Sequence, residues 1–159
     1  MLDAAVAQDE IAGAVALVLR DDQVVYERAV GWSDREAQRR MKPDAVFRIA
    51  SQTKAITSTA VMMLFEEGKF LLDEPVSKFI PEFKNPKVLD KFNAADSSYT
   101  TIPAKREISI RDLLTHTSGI GYAQIGSSTA KAMYAKNGVV GGIGVKDINL
   151  AENIKRLGA

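Results

Sequence analysis

The chain has 159 residues, a formal net charge of +1 and no cysteine. That length supports a domain with a hydrophobic core, and 46% apolar with 26% charged residues is ordinary for a globular protein. Disulfides, thiol catalysis and cysteine metal sites are excluded. Scattered basic residues make no case for nucleic acid, and no apolar run reaches the roughly 18 residues of a membrane helix.

In chain order, residues 2–10 read as a short helix that Gly13 ends. Ala14 to Leu19 and Val24 to Val30 read as a hairpin around the polar turn Arg20-Asp21-Asp22-Gln23. The first strand is almost entirely apolar, which predicts a place inside a sheet covered on both faces. Gly31 to Pro43 is polar and turn-like. From Ser51 to Glu67 the period becomes helical, with Ile56, Ala60, Met63 and Leu64 on one face and Gly68 as a stop. Val76, Phe79 and Ile80 suggest a short helix ended by Pro81. Residues 84–108 are mixed and polar, and predict an excursion with little regular structure.

Ser109 and Asp112 fit a capping box for a helix through Leu113 and Leu114, closed by Thr117-Ser118-Gly119. A glycine-rich stretch follows, with Gly121, Gly126, Gly138, Gly141, Gly142 and Gly144. It predicts a long loop holding a short helix near Ala130 to Ala135. Leu150, Ile154 and Leu157 form a last helical stripe behind Asn149.

The sharpest chemical feature is Ser51-Gln52-Thr53-Lys54 at the start of the long helix. Residues three apart on a helix share a face, about 5–6 Å apart at their β-carbons. A serine hydroxyl attacks poorly until a neighbouring base takes its proton. A lysine serves as that base only as the neutral amine, and both burial and the positive end of a helix dipole disfavour ammonium. The plainer reading makes Ser51 a helix cap and Lys54 a solvated side chain. The single histidine, His116, excludes a His-rich zinc site. Its place beside Thr115 and Thr117 at a helix end suits a structural hydrogen bond better than a catalytic triad.

Four blocks in order extend beyond that tetrapeptide: the opening hairpin ending Val30-Gly31; Phe47 to Lys54; Leu72 to Val76 with Phe79 to Phe83; and Ile108 to Gly119. Together they resemble the serine beta-lactamase-related hydrolases, which include class C beta-lactamases, DD-peptidases and family VIII carboxylesterases. The resemblance covers nearly the whole chain. It implies an α+β fold, an antiparallel sheet flanked by helices plus a helical region. Residues 1–50 would supply the first helix and hairpin, and residues 51–159 the nucleophile helix and part of the helical region.

By that resemblance Ser51 is the acylated nucleophile, Lys54 its proton-transfer partner, and the Ser51 backbone N–H half of an oxyanion hole. It implies cleavage of small esters, with beta-lactams or peptide amides as the alternative substrates. A non-catalytic acyl-ligand-binding or structural fragment is the contrasting class. It implies no metal or organic cofactor, and no nucleic-acid or membrane partner.

The chain departs from the family at two places. None of Tyr26, Tyr99, Tyr122 and Tyr134 is followed by the asparagine or aspartate of the family's tyrosine motif. The late Lys-Thr-Gly or His-x-Gly strand motif is missing. Tyr122, just after Thr-Ser-Gly, is the candidate pocket residue. These departures predict the N-terminal part of a larger enzyme, completed by a C-terminal segment or a second chain. The opening Met1-Leu2-Asp3 shows no signal peptide. The expected setting is bacterial, cytoplasmic, or exported if a signal has been removed.

Overall fold

The computed structural model describes residues 1–141 and 147–158. Gly142 and Gly144 of the glycine-rich stretch lie outside the described residues. The chain divides into two compact units, Met1–Thr53 and Lys54–Ala159.

The first unit opens with α1 (Leu2–Ala7), shorter than its sequence predicts. Asp9 turns left-handed at φ 59° and stops the helix before Gly13. Gly13 is instead the first residue of β1 (Gly13–Arg20), which pairs antiparallel with β2 (Gln23–Asp34). The two-residue turn Asp21-Asp22 has φ 50° and 59°. Such left-handed pairs match the right-handed twist of a hairpin, and aspartate tolerates them.

β2 runs on past Val30, through residues expected to be turn-like, because β3 (Arg39–Arg40) gives it a second partner. The Arg40 guanidinium lies 3.8 Å from the centroid of the Trp32 ring across that ladder. The sheet order is β1-β2-β3. β1 is therefore an edge, and Leu17, Val18 and Leu19 are each at least half exposed. The expected cover on both faces is not met by α1 and three strands, which bury only Val30.

Gly31 is where this unit is least tolerant. Its φ is +72°, and a β-carbon there would collide with the Ala12 carbonyl oxygen and lie 2.8 Å from Gly13 Cα. Both obstacles are backbone, so no rotamer change relieves them. Gly31→Ala is expected to cost roughly 2–4 kcal/mol, read as a lower urea midpoint at unchanged slope.

The second unit begins in α2 (Thr53–Glu66). Its C-terminus closes as the sequence predicts. Gly68 at φ +68° lets the Lys69 N–H reach the Leu64 carbonyl at 3.1 Å and its own N–H reach Phe65 at 2.9 Å. Phe65, Phe70 and Phe79 then pack as tilted and edge-on rings, centroids 6.0 and 6.3 Å apart. Of these rings only Phe70 is buried, and the other buried apolar residues described in this unit are Val76, Phe83 and Val139. Ile56, Met63 and Leu64 of α2 remain largely exposed.

Pro81 begins a 3-10 turn (Pro81–Phe83) rather than ending a helix, and Val76–Lys78 forms another. Proline at the first position of a turn loses no hydrogen bond. The stretch expected to be irregular holds a hairpin, β4 (Lys87–Phe92) and β5 (Tyr99–Pro103). A register shift between Leu89 and Lys91 breaks the alternation that would have revealed it. Asn93 and Asp96 accept the N–H groups of Ala95 and Ser98, at 3.0 and 2.9 Å, and close its turn.

Three short helices complete the unit: α3 (Ile110–Leu114), α4 (Ser128–Lys136) and α5 (Leu150–Gly158). Ser127 caps α4 and Asn149 caps α5. The Asn153 side chain donates to the Val140 carbonyl and accepts its N–H, both at 2.9 Å, as a neighbouring strand would. Each unit thus combines an antiparallel sheet with helical segments, a mixed α+β architecture.

Candidate active site

Ser51 lies in a 3-10 turn, Ala50–Gln52, in which the Gln52 N–H donates to the Ile49 carbonyl at 3.0 Å. Ala50, immediately before it, is left-handed at φ 44°. A non-glycine residue rarely adopts that conformation, at a cost on the order of 1 kcal/mol or more. The helix expected from Ser51 onward is therefore a tight turn feeding α2 at Thr53. The Ser51 residue is exposed.

In the second unit, Lys54 occupies the first turn of α2, which carries no acidic residue. Its Nζ lies 5.7 Å from the centroid of the Tyr122 ring. Lys54 and Tyr122 are thus brought together, within the distance at which a ring face attracts a cation. Tyr122 is about half exposed and stands in the loop between α3 and α4. Two hydrogen bonds shape that loop: Ile120 N–H to Ser118 Oγ at 3.3 Å, and Gly121 N–H to the Tyr134 hydroxyl at 2.9 Å.

Behind the loop, the capping box at Ser109 is complete in both directions. Asp112 does more than cap. Its carboxylate accepts two bonds from Arg106, at 2.5 and 2.9 Å, both the N–H and the hydroxyl of Ser109, and the Thr117 hydroxyl at 3.1 Å. The residue is only 6% exposed. Arg106 first, then Ser109, hold its carboxyl far below the usual carboxylate range. The Thr117 bond and the Thr117 N–H to Asp112 carbonyl bond at 2.8 Å fix the turn in which His116 sits at φ 59°. α3 itself ends earlier than expected, at Leu114.

The block Leu72 to Val76 is laced to Ile108 to Arg111. Val76 N–H donates to Ile108 at 2.8 Å, Arg111 N–H to Leu72 at 2.8 Å, and the Arg111 guanidinium pairs with Asp73 at 2.7 and 3.1 Å. That guanidinium lowers the Asp73 carboxyl, while the Lys78 ammonium, 2.6 Å from Glu74, lowers Glu74. A cavity of about 550 Å³ is lined by Asp73, Arg106, Glu107, Ser109, Arg111 and Asp112. Arg106 pairs with Asp112, Arg111 with Asp73, and Glu107 accepts from Ser77 and Asn85, so the cavity reads as the open side of this network.

Sequence reasoning gave Asp112 a capping role only and gave Tyr134 none. Arg106 and Tyr134 reach their partners across loops, a relation that periodicity does not encode. Among the described residues, no group of three or more His, Asp or Glu side chains is placed to hold a metal ion. No described helix is long and apolar enough to cross a membrane.

Comparison with known proteins identifies the family. The family model described as Beta-lactamase matches residues 1–156. Esterase EstB of Burkholderia gladioli is 38% identical over 157 residues, covering 99% of this chain and 36% of the relative. Protein Rv1367c of Mycobacterium tuberculosis is 42% identical over 112 residues, 70% of this chain and 27% of that protein. The solved structure of EstCE1, described as a hydrolase with promiscuous acyltransferase activity, superposes with a TM-score of 0.78 at 29% identity, over 99% of this chain and 37% of that one. Unliganded simvastatin synthase (LovD) from Aspergillus terreus superposes at 0.69, also at 29% identity, over 87% and 36% of the two chains. The chain spans a little over a third of the length of the relatives it matches most fully. With its family model matched almost end to end, this chain belongs to the beta-lactamase family.

Proposed function

We propose that the chain carries the nucleophile and the first base of a serine enzyme that cleaves small carboxylic esters. The carrying observation is the Ser51-x-x-Lys54 pair at the mouth of α2, within a chain that aligns over 99% of its length with an esterase. Ser51 Oγ attacks the ester carbonyl as the Lys54 amine takes its proton. The tetrahedral oxyanion, held in part by the Ser51 N–H, collapses and expels the alkoxide. Lys54 returns the proton to it, releasing the alcohol. Water then attacks the acyl-serine and frees the acid, with the proton passing back to Ser51. A second alcohol in place of water gives acyl transfer, the activity named for EstCE1.

The exposed apolar residues Leu17, Val18 and Leu19 on β1, and Ile56 and Met63 on α2, support a complementary C-terminal segment or second chain as the partner. That partner would also bring the tyrosine and late-strand motifs. The bacterial sources of EstB and Rv1367c fit a bacterial origin.

Mass spectrometry after exposure to a fluorophosphonate tests the reaction. A single adduct on Ser51 is expected, with the complementary segment present if the chain by itself stays unlabelled. No adduct under either condition overturns the enzyme reading in favour of a non-catalytic acyl-ligand binder. A stable adduct with a beta-lactam but none with an ester-like probe would move the substrate to amides.

A further inference from the structure

Tyr122 is presented to Lys54 by a loop with little of its own to hold it. Residues 115–127 contain no helix or strand, and Gly119 and Gly126 are at φ 80° and 119°. The loop is pinned on one side by the Thr117–Asp112 pair. On its other side the Gly121 N–H, next in sequence to Tyr122, donates to the Tyr134 hydroxyl at 2.9 Å. Tyr134 stands on α4, capped by Ser127 and anchored at its far end by Asn137, which donates to the Tyr99 hydroxyl at 2.9 Å. The ring of Tyr134 is therefore carried by a regular element, and its hydroxyl is offered to an irregular one.

We propose that Tyr134 is a positioning residue: its hydroxyl clamps the Gly121 amide and so holds the Tyr122 ring against the Lys54 side chain. This rests on Lys54 being the base that activates Ser51. Holding a rigid ring beside the amine limits the rotamers that the long lysine chain samples. Tyr134 is assigned to act through the Gly121 amide that its hydroxyl accepts, and so through Tyr122. It supplies no proton, and it is distinct from the family's absent tyrosine motif.

Tyr134→Phe deletes the acceptor and leaves the ring. In the intact protein, expressed with every residue it naturally has, two readouts separate the possibilities. The first is hydrogen exchange at the Gly121 amide, which does not depend on activity. It is expected to accelerate about tenfold, the loss of one hydrogen bond of ordinary strength. The second is the rate of Ser51 phosphonylation at saturating fluorophosphonate, expected to fall about fivefold with the half-saturating concentration unchanged.

Tyr122→Leu should slow labelling to a similar degree. Tyr134→Phe added to Tyr122→Leu should slow it no further, since the clamp then has no ring to hold. Unchanged exchange at Gly121 overturns the clamp. Faster exchange with the same fivefold loss in both backgrounds shows a merely structural role and overturns the positioning claim. Wild-type protein that labels no better than Ser51→Ala overturns the catalytic reading itself, and the inference falls with it. A fall in rate confined to the Tyr122 background supports the proposal.

Discussion

Ser51→Ala is expected to abolish covalent labelling and to reduce ester turnover by the intact enzyme about 10⁴-fold or more, since it removes the proposed acyl acceptor. Lys54→Ala should lower the same rate by about 10²–10⁴-fold, the usual contribution of a general base. The two losses should not multiply, because the base has nothing to activate once the hydroxyl is gone. Both side chains belong to exposed residues, so neither variant opens a cavity. Far-UV circular dichroism and the thermal midpoint should remain within error of the parent. A Ser51→Ala protein that keeps a tenth of the parental turnover would remove Ser51 from the mechanism.

Asp112 is expected to have the largest effect on stability. Asp112→Ala leaves Arg106, two Ser109 donors and the Thr117 hydroxyl without their shared acceptor. Unlike the exposed pairs of Arg20 with Asp21 or Lys69 with Glu67, this carboxylate is nearly enclosed. The thermal midpoint should fall by about 10 °C, with Asp112→Asn intermediate.

The pH dependence gives an independent check. The Asp112 carboxyl is depressed in the folded protein, chiefly by Arg106. Its stabilisation is therefore complete above the unfolded value near 4, and drains away as pH falls from there towards the lower folded value. The gap in thermal midpoint between the parent and Asp112→Asn should be constant above about pH 5 and narrow below about pH 4. Asp73 and Glu74 are shifted in the same direction by Arg111 and Lys78, so part of the parent's acid sensitivity survives in the variant. A gap that widens in acid would refute the assignment.

Local chemistry made much of this legible in advance. Ser109 and Asp112 announce their cap because donor and acceptor lie three residues apart, and Gly68 announces the end of α2 for the same reason. The Asp21-Asp22 turn likewise follows from residues that tolerate left-handed backbone. Features set by distant partners were not legible. The length of β2 depends on β3, and β4–β5 hides behind its own bulge. The edge position of β1 contradicts its all-apolar composition, since composition reports what a strand needs as cover without naming what provides it. Ser51 and Lys54 are proposed from their spacing, whereas the hydrogen bond from Gly121 to Tyr134 spans 13 residues and leaves no periodic trace.

The β4–β5 hairpin leaves and rejoins the second unit at a single doorway. Glu107 accepts the Ser77 hydroxyl at 2.8 Å and the Asn85 N–H at 3.2 Å, and the Ala104 N–H meets the Pro86 carbonyl at 2.9 Å. With its ends already tied, the segment between them is a side branch in chain topology, joined to the rest of the unit also at Ser97 and Tyr99. Doubling its length adds only about 0.6 kcal/mol of loop-closure entropy, so a longer insert costs little there, whereas a shorter stub removes the Ser97 carbonyl and the Tyr99 hydroxyl that accept from Lys136 and Asn137 at the end of α4.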